Sequence, residues 1–172
     1  LIKEGSARIV HGSTVATNAV LEGKGAATVF VTNHGFRDLL QLGRQDRTKL
    51  YALEFEPQRI KVPKGRCLEL PGRVAADGTI IRSISRSEID EFVLKVAEQD
   101  VEAVAISFLF SFLNSDHEKQ IEHELNKRLP FLKVSCSHRV LPESGEYERG
   151  IATWLNASLA PLIDSYLKAL DV

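Results

Sequence analysis

Residues 8 to 25 read Arg-Ile-Val-His-Gly-Ser-Thr-Val-Ala-Thr-Asn-Ala-Val-Leu-Glu-Gly-Lys-Gly. The apolar pair Ile9 and Val10 leads to His11-Gly12, and Ser13 and Thr14 stand where a helix cap belongs. A helical pattern then runs to Gly23 and Gly25. The stretch therefore reads as a strand that delivers a histidine and hydroxyls to a helix N-terminus. Free N–H groups and the positive end of the helix dipole meet at such a junction, so an anion binds there at little cost.

Alternation of strand and helix continues outward from this junction. Arg8 to His11 predicts a strand and Thr14 to Glu22 a helix. Ala27 to Thr32 predicts a buried strand, and Phe36 to Leu42 a short helix stopped by Gly43. This βαβα order implies a right-handed crossover and a parallel pair. Further on, Ser85 to Glu88 makes a Ser-x-x-Glu capping box opening a helix with Ile89, Phe92, Val93, Val96 and Ala97. Val101 to Phe110 is apolar enough for a strand covered on both faces. Asn114 to Leu129 predicts an amphipathic helix ending at Pro130, and Leu132 to Ser135 a short strand. Glu146 to Leu170 predicts a long helix disturbed at Pro161, which has no N–H to bond back.

The segment from 44 to 84 has a different texture. Pro57, Pro63, Pro71, Gly65 and Gly72 interrupt it, and no helical period emerges. Arg66 to Leu70 and Arg73 to Ala75 look like strand pieces, and Asp77-Gly78 predicts a hairpin turn into Thr79 to Ile84. We read 44–84 as a β-rich insertion beside the main sheet of one α/β domain spanning 1–172.

Composition excludes several function classes. Lys plus Arg total 22 against 23 for Asp plus Glu, and no basic stripe interleaves with aromatics, so nucleic acid is not an expected partner. The apolar run from Val101 to Leu113 is broken by Glu102 and Ser107 and is too short to span a bilayer, so no membrane is expected. Cys67 and Cys136 are isolated, which favours a reduced, cytoplasmic setting. A start at Leu1 without any Met leads us to expect an incomplete chain. No Gly-x-x-x-x-Gly-Lys-Ser/Thr loop and no Gly-x-Gly-x-x-Gly occurs. His117-Glu118 and His123 invite a metal reading, but a spacing of six turns the two histidines onto different faces. A solvated amphipathic helix is the expectation there, and no metal site is assigned.

Three stretches remain as candidate sites, each with a plainer reading beside it. Thr14, Thr17 and Asn18 share one helix face and, with His11, Gly12 and Ser13, could hold phosphate, carboxylate or a cyclic amide; the same residues equally serve as a cap above a solvated stripe. Asn33-His34-Gly35 ends a strand where open α/β sheets bind ligands, or it is a plain turn with Gly35 at positive φ. Arg149, Thr153 and Asn156 share a face of the last helix and could clamp an anion, although Glu146 three residues earlier offers Arg149 an ion pair.

Longer strings carry a resemblance. They are His11-Gly-Ser-Thr-Val-Ala-Thr-Asn-Ala19, Thr32-Asn-His-Gly-Phe-Arg-Asp38, Leu42-Gly-Arg-Gln45 and Ser107-Phe-Leu-Phe-Ser-Phe-Leu-Asn114 with His117-Glu118. Val140-Leu-Pro-Glu143 and Glu146-Tyr-Glu-Arg-Gly150 with Trp154-Leu-Asn-Ala157 complete them. In this order they resemble the N-terminal domain of the hydantoinase A/5-oxoprolinase family, which includes N-methylhydantoinases and acetone carboxylase subunits. The resemblance implies a partial actin-like ATPase (ribonuclease-H-like) fold. It also implies ATP and Mg2+ as cofactors and a small cyclic amide such as 5-oxoproline or a hydantoin as substrate. Phosphorylation of an amide or enol oxygen would activate the substrate for ring opening or carboxylation. A hydantoinase-B-type subunit or fused domain, within a homo- or hetero-oligomer, is the implied partner.

Carried onto this chain, the resemblance makes His11 the catalytic residue, as a proton or hydrogen-bond donor to a developing oxyanion. Gly12, Ser13, Thr14, Thr17, Asn18, Asn33, Gly35, Arg149 and Asn156 become substrate- or phosphate-binding residues. Ser13 replaces the family's usual Thr and keeps the hydroxyl. The family's opening Asp-x-Gly-Gly-Thr-Phe-Thr-Asp phosphate hairpin does not occur in this sequence, nor does the downstream ATPase domain. A non-catalytic scaffold or subunit-docking domain is therefore the alternative expectation. A sugar-kinase relative is a weaker one, because no catalytic aspartate can be placed.

Overall fold

The computed structural model describes residues 12–44 and 62–170. The expected strand at Arg8 to His11, the first element of the βαβα unit, lies outside the described residues. Within them the chain forms helix α1 (Val15–Glu22), strand β1 (Thr28–Asn33) and the single-turn helix α2 (Leu39–Leu42). A 3-10 turn at Lys64–Arg66 enters β2 (Cys67–Leu70), followed by β3 (Arg73–Val74), β4 (Ile80–Arg82) and α3 (Arg86–Ala97). The chain ends with β5 (Ala103–Ile106), α4 (Asp116–Arg128), β6 (Lys133–Cys136), α5 (Ser137–Val140) and α6 (Glu146–Leu170).

Four strands make one parallel sheet in the order β2-β1-β5-β6. Thr28 pairs with Ala103, and Ala103 in turn with Lys133. The stretch expected to lie wholly beside this sheet divides in two. Cys67–Leu70 joins the main sheet as its edge strand against Phe30–Asn33, while β3 and β4 pair antiparallel in a hairpin of their own. Asp77 tightens that hairpin by accepting from the Thr79 N–H at 2.9 Å and the Thr79 hydroxyl at 2.7 Å.

Side chains alternate across the sheet and create two apolar layers. Val29 and Val31 of β1 with Val104 and Ile106 of β5 meet Ile89, Phe92, Val93 and Val96 of α3, together with Ile121 and Leu125 of α4. On the opposite face Phe30, Ala103 and Ala105 meet Leu40 and Ala157. Two consecutive inward alanines on β5 let α6 lie close along the centre of the sheet. The capping box of α3 forms as expected: Ser85 accepts from the Glu88 N–H, and Glu88 returns a bond to the Ser85 N–H. The run from Val101 gives a shorter strand than expected, stopping at Ile106 because a turn follows, with Phe110 at φ 58°. In α6, Pro161 sits inside the helix, and the buried residues Arg149, Gly150, Thr153, Ala157 and Ser158 all precede it. Among the described residues no helix is long and apolar enough to cross a membrane.

Candidate functional site

At the start of α1, Thr14 takes the N-cap position at φ −100° and ψ 9°, but its hydroxyl does not cap the helix. Ser13 accepts from the Val15 N–H at 3.2 Å instead, and Thr14 Oγ1 accepts a long bond of 3.5 Å from Asn18 Nδ2. Gly12, Ser13, Thr14, Thr17 and Asn18 are all exposed, with Ala19 buried behind them. No acidic residue occupies the first turn. The site thus offers open amides, hydroxyls and a carboxamide at a positive dipole end, a set that accommodates an anion without ordering new structure. His11 lies outside the described residues.

The carboxyl end of β1 is stitched rather than open. Asn33 is buried: its Oδ1 accepts from the Leu109 N–H at 2.6 Å, and its Nδ2 donates to the Gly72 carbonyl. Both ends of its amide are therefore spent holding the β5 exit and the hairpin entry to β1. Gly35 has the expected positive φ, 87°, and its N–H donates to Glu69 Oε1 at 2.7 Å.

Arg149 is fully buried in the side chain and forms the ion pair with Glu146 that its spacing led us to expect. It also donates to the Phe108 and Glu143 carbonyls, each at 2.9 Å. Burial pulls its guanidinium below the ordinary range, with Glu118 opposing the shift. Asn33 and Arg149 thus meet adjacent residues of the β5 exit, Leu109 and Phe108. Asn156 stays exposed and donates to Ser135 Oγ at 2.9 Å, on the outer strand β6. The structure gathers Asn33 and Arg149 at one exit loop, and among the described residues neither bonds to Asn156 or to the start of α1.

One cluster was missed from sequence. His117 and Glu118, expected on a solvated helix, are buried, whereas His123 is exposed. Both precede Ile121, by four and three residues, so helical geometry places them on its buried face even though their polarity hides this. Glu118 Oε1 accepts from the Phe108 N–H at 2.9 Å and the Ser137 hydroxyl at 2.6 Å. Its Oε2 accepts from the His138 N–H at 3.0 Å and lies 2.7 Å from His138 Nδ1. Glu118 therefore closes the N-terminus of α5 and fixes the His138 ring. Among the described residues, Glu118, Cys136 and His138 are the only trio whose ligand atoms lie close enough to share a metal ion, within 4.8 Å of one another. Each Glu118 oxygen already has two partners inside the fold, so the trio is built as a hydrogen-bonded hub. Burial, reinforced by Glu118, pushes the Cys136 thiol far above its ordinary range.

Residues 3–129 match the family model of the hydantoinase/oxoprolinase N-terminal region. The caprolactamase alpha subunit of Pseudomonas jessenii is 31% identical over 164 residues, covering 94% of this chain and 24% of that protein. The 5-oxoprolinase of Dictyostelium discoideum is 32% identical over 180 residues, covering 91% of this chain and 14% of that protein. Among solved structures, the ATP-dependent caprolactamase of Pseudomonas jessenii superimposes with a TM-score of 0.85 at 30% identity, over 94% of this chain and 24% of that one. Nucleotide-free acetone carboxylase shares the fold with a TM-score of 0.72 at 22% identity, over 86% of this chain and 22% of that one. The chain spans a quarter or less of the length of these relatives. With a family model matched across most of its length and an α/β parallel sheet that superimposes on a member's, the chain belongs to the hydantoinase/oxoprolinase family.

Proposed function

We propose that this chain is the N-terminal portion of an ATP-dependent enzyme that opens a small cyclic amide such as 5-oxoproline or a hydantoin. The observation that carries the reading is the likeness to an ATP-dependent caprolactamase over 94% of the chain. On this reading the domain is part of an actin-like ATPase, with 44–84 as a β-rich insertion that lends β2 to the main sheet. It works in the cytoplasm with a hydantoinase-B-type subunit or fused domain. Carboxylation of an activated ketone is the alternative chemistry within the same proposal.

Ser13, Thr14, Thr17 and Asn18, exposed around the start of α1, fit a phosphate or the oxygen of a substrate amide. ATP, when bound, supplies the phosphoryl group that turns an amide oxygen into a workable leaving group. The chain's own part is to hold the oxygens against the open amides after Gly12, and His11 is proposed as the proton donor to the developing oxyanion. No carboxylate stands in the first turn of α1, so this turn does not fit Mg2+. In this reading Asn33 and Arg149 are positioning residues that hold the β5 exit beside the site, Gly35 shapes the turn after β1, and Asn156 anchors α6 to β6.

The test is lactam-dependent ATP hydrolysis by the enzyme that carries this chain at its N-terminus. Thr14→Val, Asn18→Asp and His11→Ala should each lower kcat/KM by about tenfold or more, close to 1.4 kcal/mol of lost transition-state stabilisation. Unchanged turnover in all three would remove the assigned site. Calorimetry of the chain alone with Mg-ATP separates the remaining reading: no heat favours a subunit-docking domain.

A further inference from the structure

A cavity of about 420 Å³ lies between α1, the start of β1, the 3-10 turn before β2 and α6. It falls within the range of small-molecule sites. Ala19, Val20, Ala27, Leu155 and Leu159 supply apolar walls, and Gly23 and Gly25 keep its rim free of side chains. Its hydroxyls are already turned into the fold: Thr28 donates to the Ala26 carbonyl at 2.8 Å and Ser158 to the Leu155 carbonyl at 2.9 Å. Two lining groups are left over, and both are donors. Trp154 Nε1 is buried with no acceptor, and the Arg66 guanidinium makes no hydrogen bond or ion pair among the described residues. A buried donor without an acceptor is costly, and an arginine fork matches a carboxylate in two places.

We propose that this cavity binds a small carboxylate with a compact apolar body, the carboxylate meeting Arg66 and the indole N–H of Trp154. Donor-only polar groups set in aliphatic walls select an anionic acceptor on a hydrocarbon body and reject a cation of the same length. The cavity lies at the other end of α1 from the site proposed above: Val20 and Gly23 line it, whereas Ser13 and Thr14 precede the first residue of the helix, on the order of 10 Å away along its axis. Binding here joins α1 to α6, so the ligand would brace the helix whose opposite end carries Ser13 and Thr14.

Trp154 is the only tryptophan in the sequence, so its fluorescence reports occupancy directly. The 172-residue chain is titrated with hexanoate, with hexylamine and with inorganic phosphate. Hexanoate should give a saturable change with half-saturation at about 1 mM or below, and the other two should not saturate at about ten times that concentration. Arg66→Gln should weaken hexanoate about tenfold or more, and Arg66→Lys should recover part of the loss. Val20→Phe, which fills the cavity and leaves the guanidinium in place, should abolish the response, with melting followed in parallel to show that each variant is folded. No response to hexanoate, equal responses to hexylamine or phosphate, or an unchanged affinity in folded Arg66→Gln would each overturn the proposal.

Discussion

Both ring nitrogens of His117 are buried without a hydrogen-bond partner among the described residues, against Ile84, Gly72 and the edge of the Phe108 ring. Burial lowers the His117 pKa from its ordinary 6.5, with Asp116 pulling weakly the other way. The sign of the pH effect follows. The unfolded chain takes up a proton as pH falls through about 6.5, whereas the folded chain resists until its lower pKa, so folding stability falls with acidification across that window. Denaturation at about pH 7.5 and about pH 5.5 should show this decline, and His117→Phe should flatten it; an unaltered slope in the variant would assign the effect elsewhere. His117 and Glu118 also mark a limit of reading by polarity. A helix face is assigned from its apolar residues, and here the first turn of the buried face is polar because Glu118 must reach Phe108, Ser137 and His138, partners up to 20 residues away.

Elements announced by local chemistry were legible, and those decided by distant pairing were less so. The α3 start is an example of the first kind: cap and countercap sit within four consecutive residues, Ser85 to Glu88. Ser85→Ala should cost about 1 kcal/mol in a urea melt without changing the slope of the transition. Of the pairs that link α3 to α4, Arg128–Asp90 is partly exposed and its removal should matter little, whereas Arg86–Glu124 ends on a buried carboxylate, so removing Arg86 should cost more. Strand β2 is an example of the second kind. Its residues read as a strand, but whether Cys67 pairs with Phe30 or belongs to the neighbouring hairpin is settled across 37 positions, which no short window contains. The end of β5 is likewise set from afar, by Glu118 and Arg149 gripping the N–H and carbonyl of Phe108.

At the scale of the whole molecule, the two faces of β5 are unequal by design of their side chains. Val104 and Ile106 fill the α3/α4 side, and Ala103 and Ala105 leave room on the other for α6. Gly150 belongs to the same close approach, since a Cβ there would come within 3.0 Å of Leu40 and 3.4 Å of Phe30. Ala105→Leu should therefore overpack this layer and cost about 1–3 kcal/mol, visible as a lowered melting temperature. The α/β layering and the family were readable because strands and caps recur in a fixed order. The site was less readable, because Ser13, Asn33, Arg149 and Asn156 share motifs in one dimension yet serve separate tasks in three. Asn33 and Arg149 are consumed by internal bonds that no spacing rule reveals.

Pro161 gives α6 two kinds of backbone. Before it, the helix is pressed onto the sheet through Arg149, Thr153 and Ala157; after it, no residue up to Leu170 is buried. The ring removes one link from the ladder at the point where full burial also ends, and the half-exposed Lys133–Asp164 pair ties the far portion to β6. The two halves should therefore exchange their amide hydrogens for deuterium on separate clocks. Residues 150–158 should open only with global unfolding, and 165–170 should exchange by local fraying orders of magnitude sooner. Uniform protection along the whole helix would mean that the proline does not divide it.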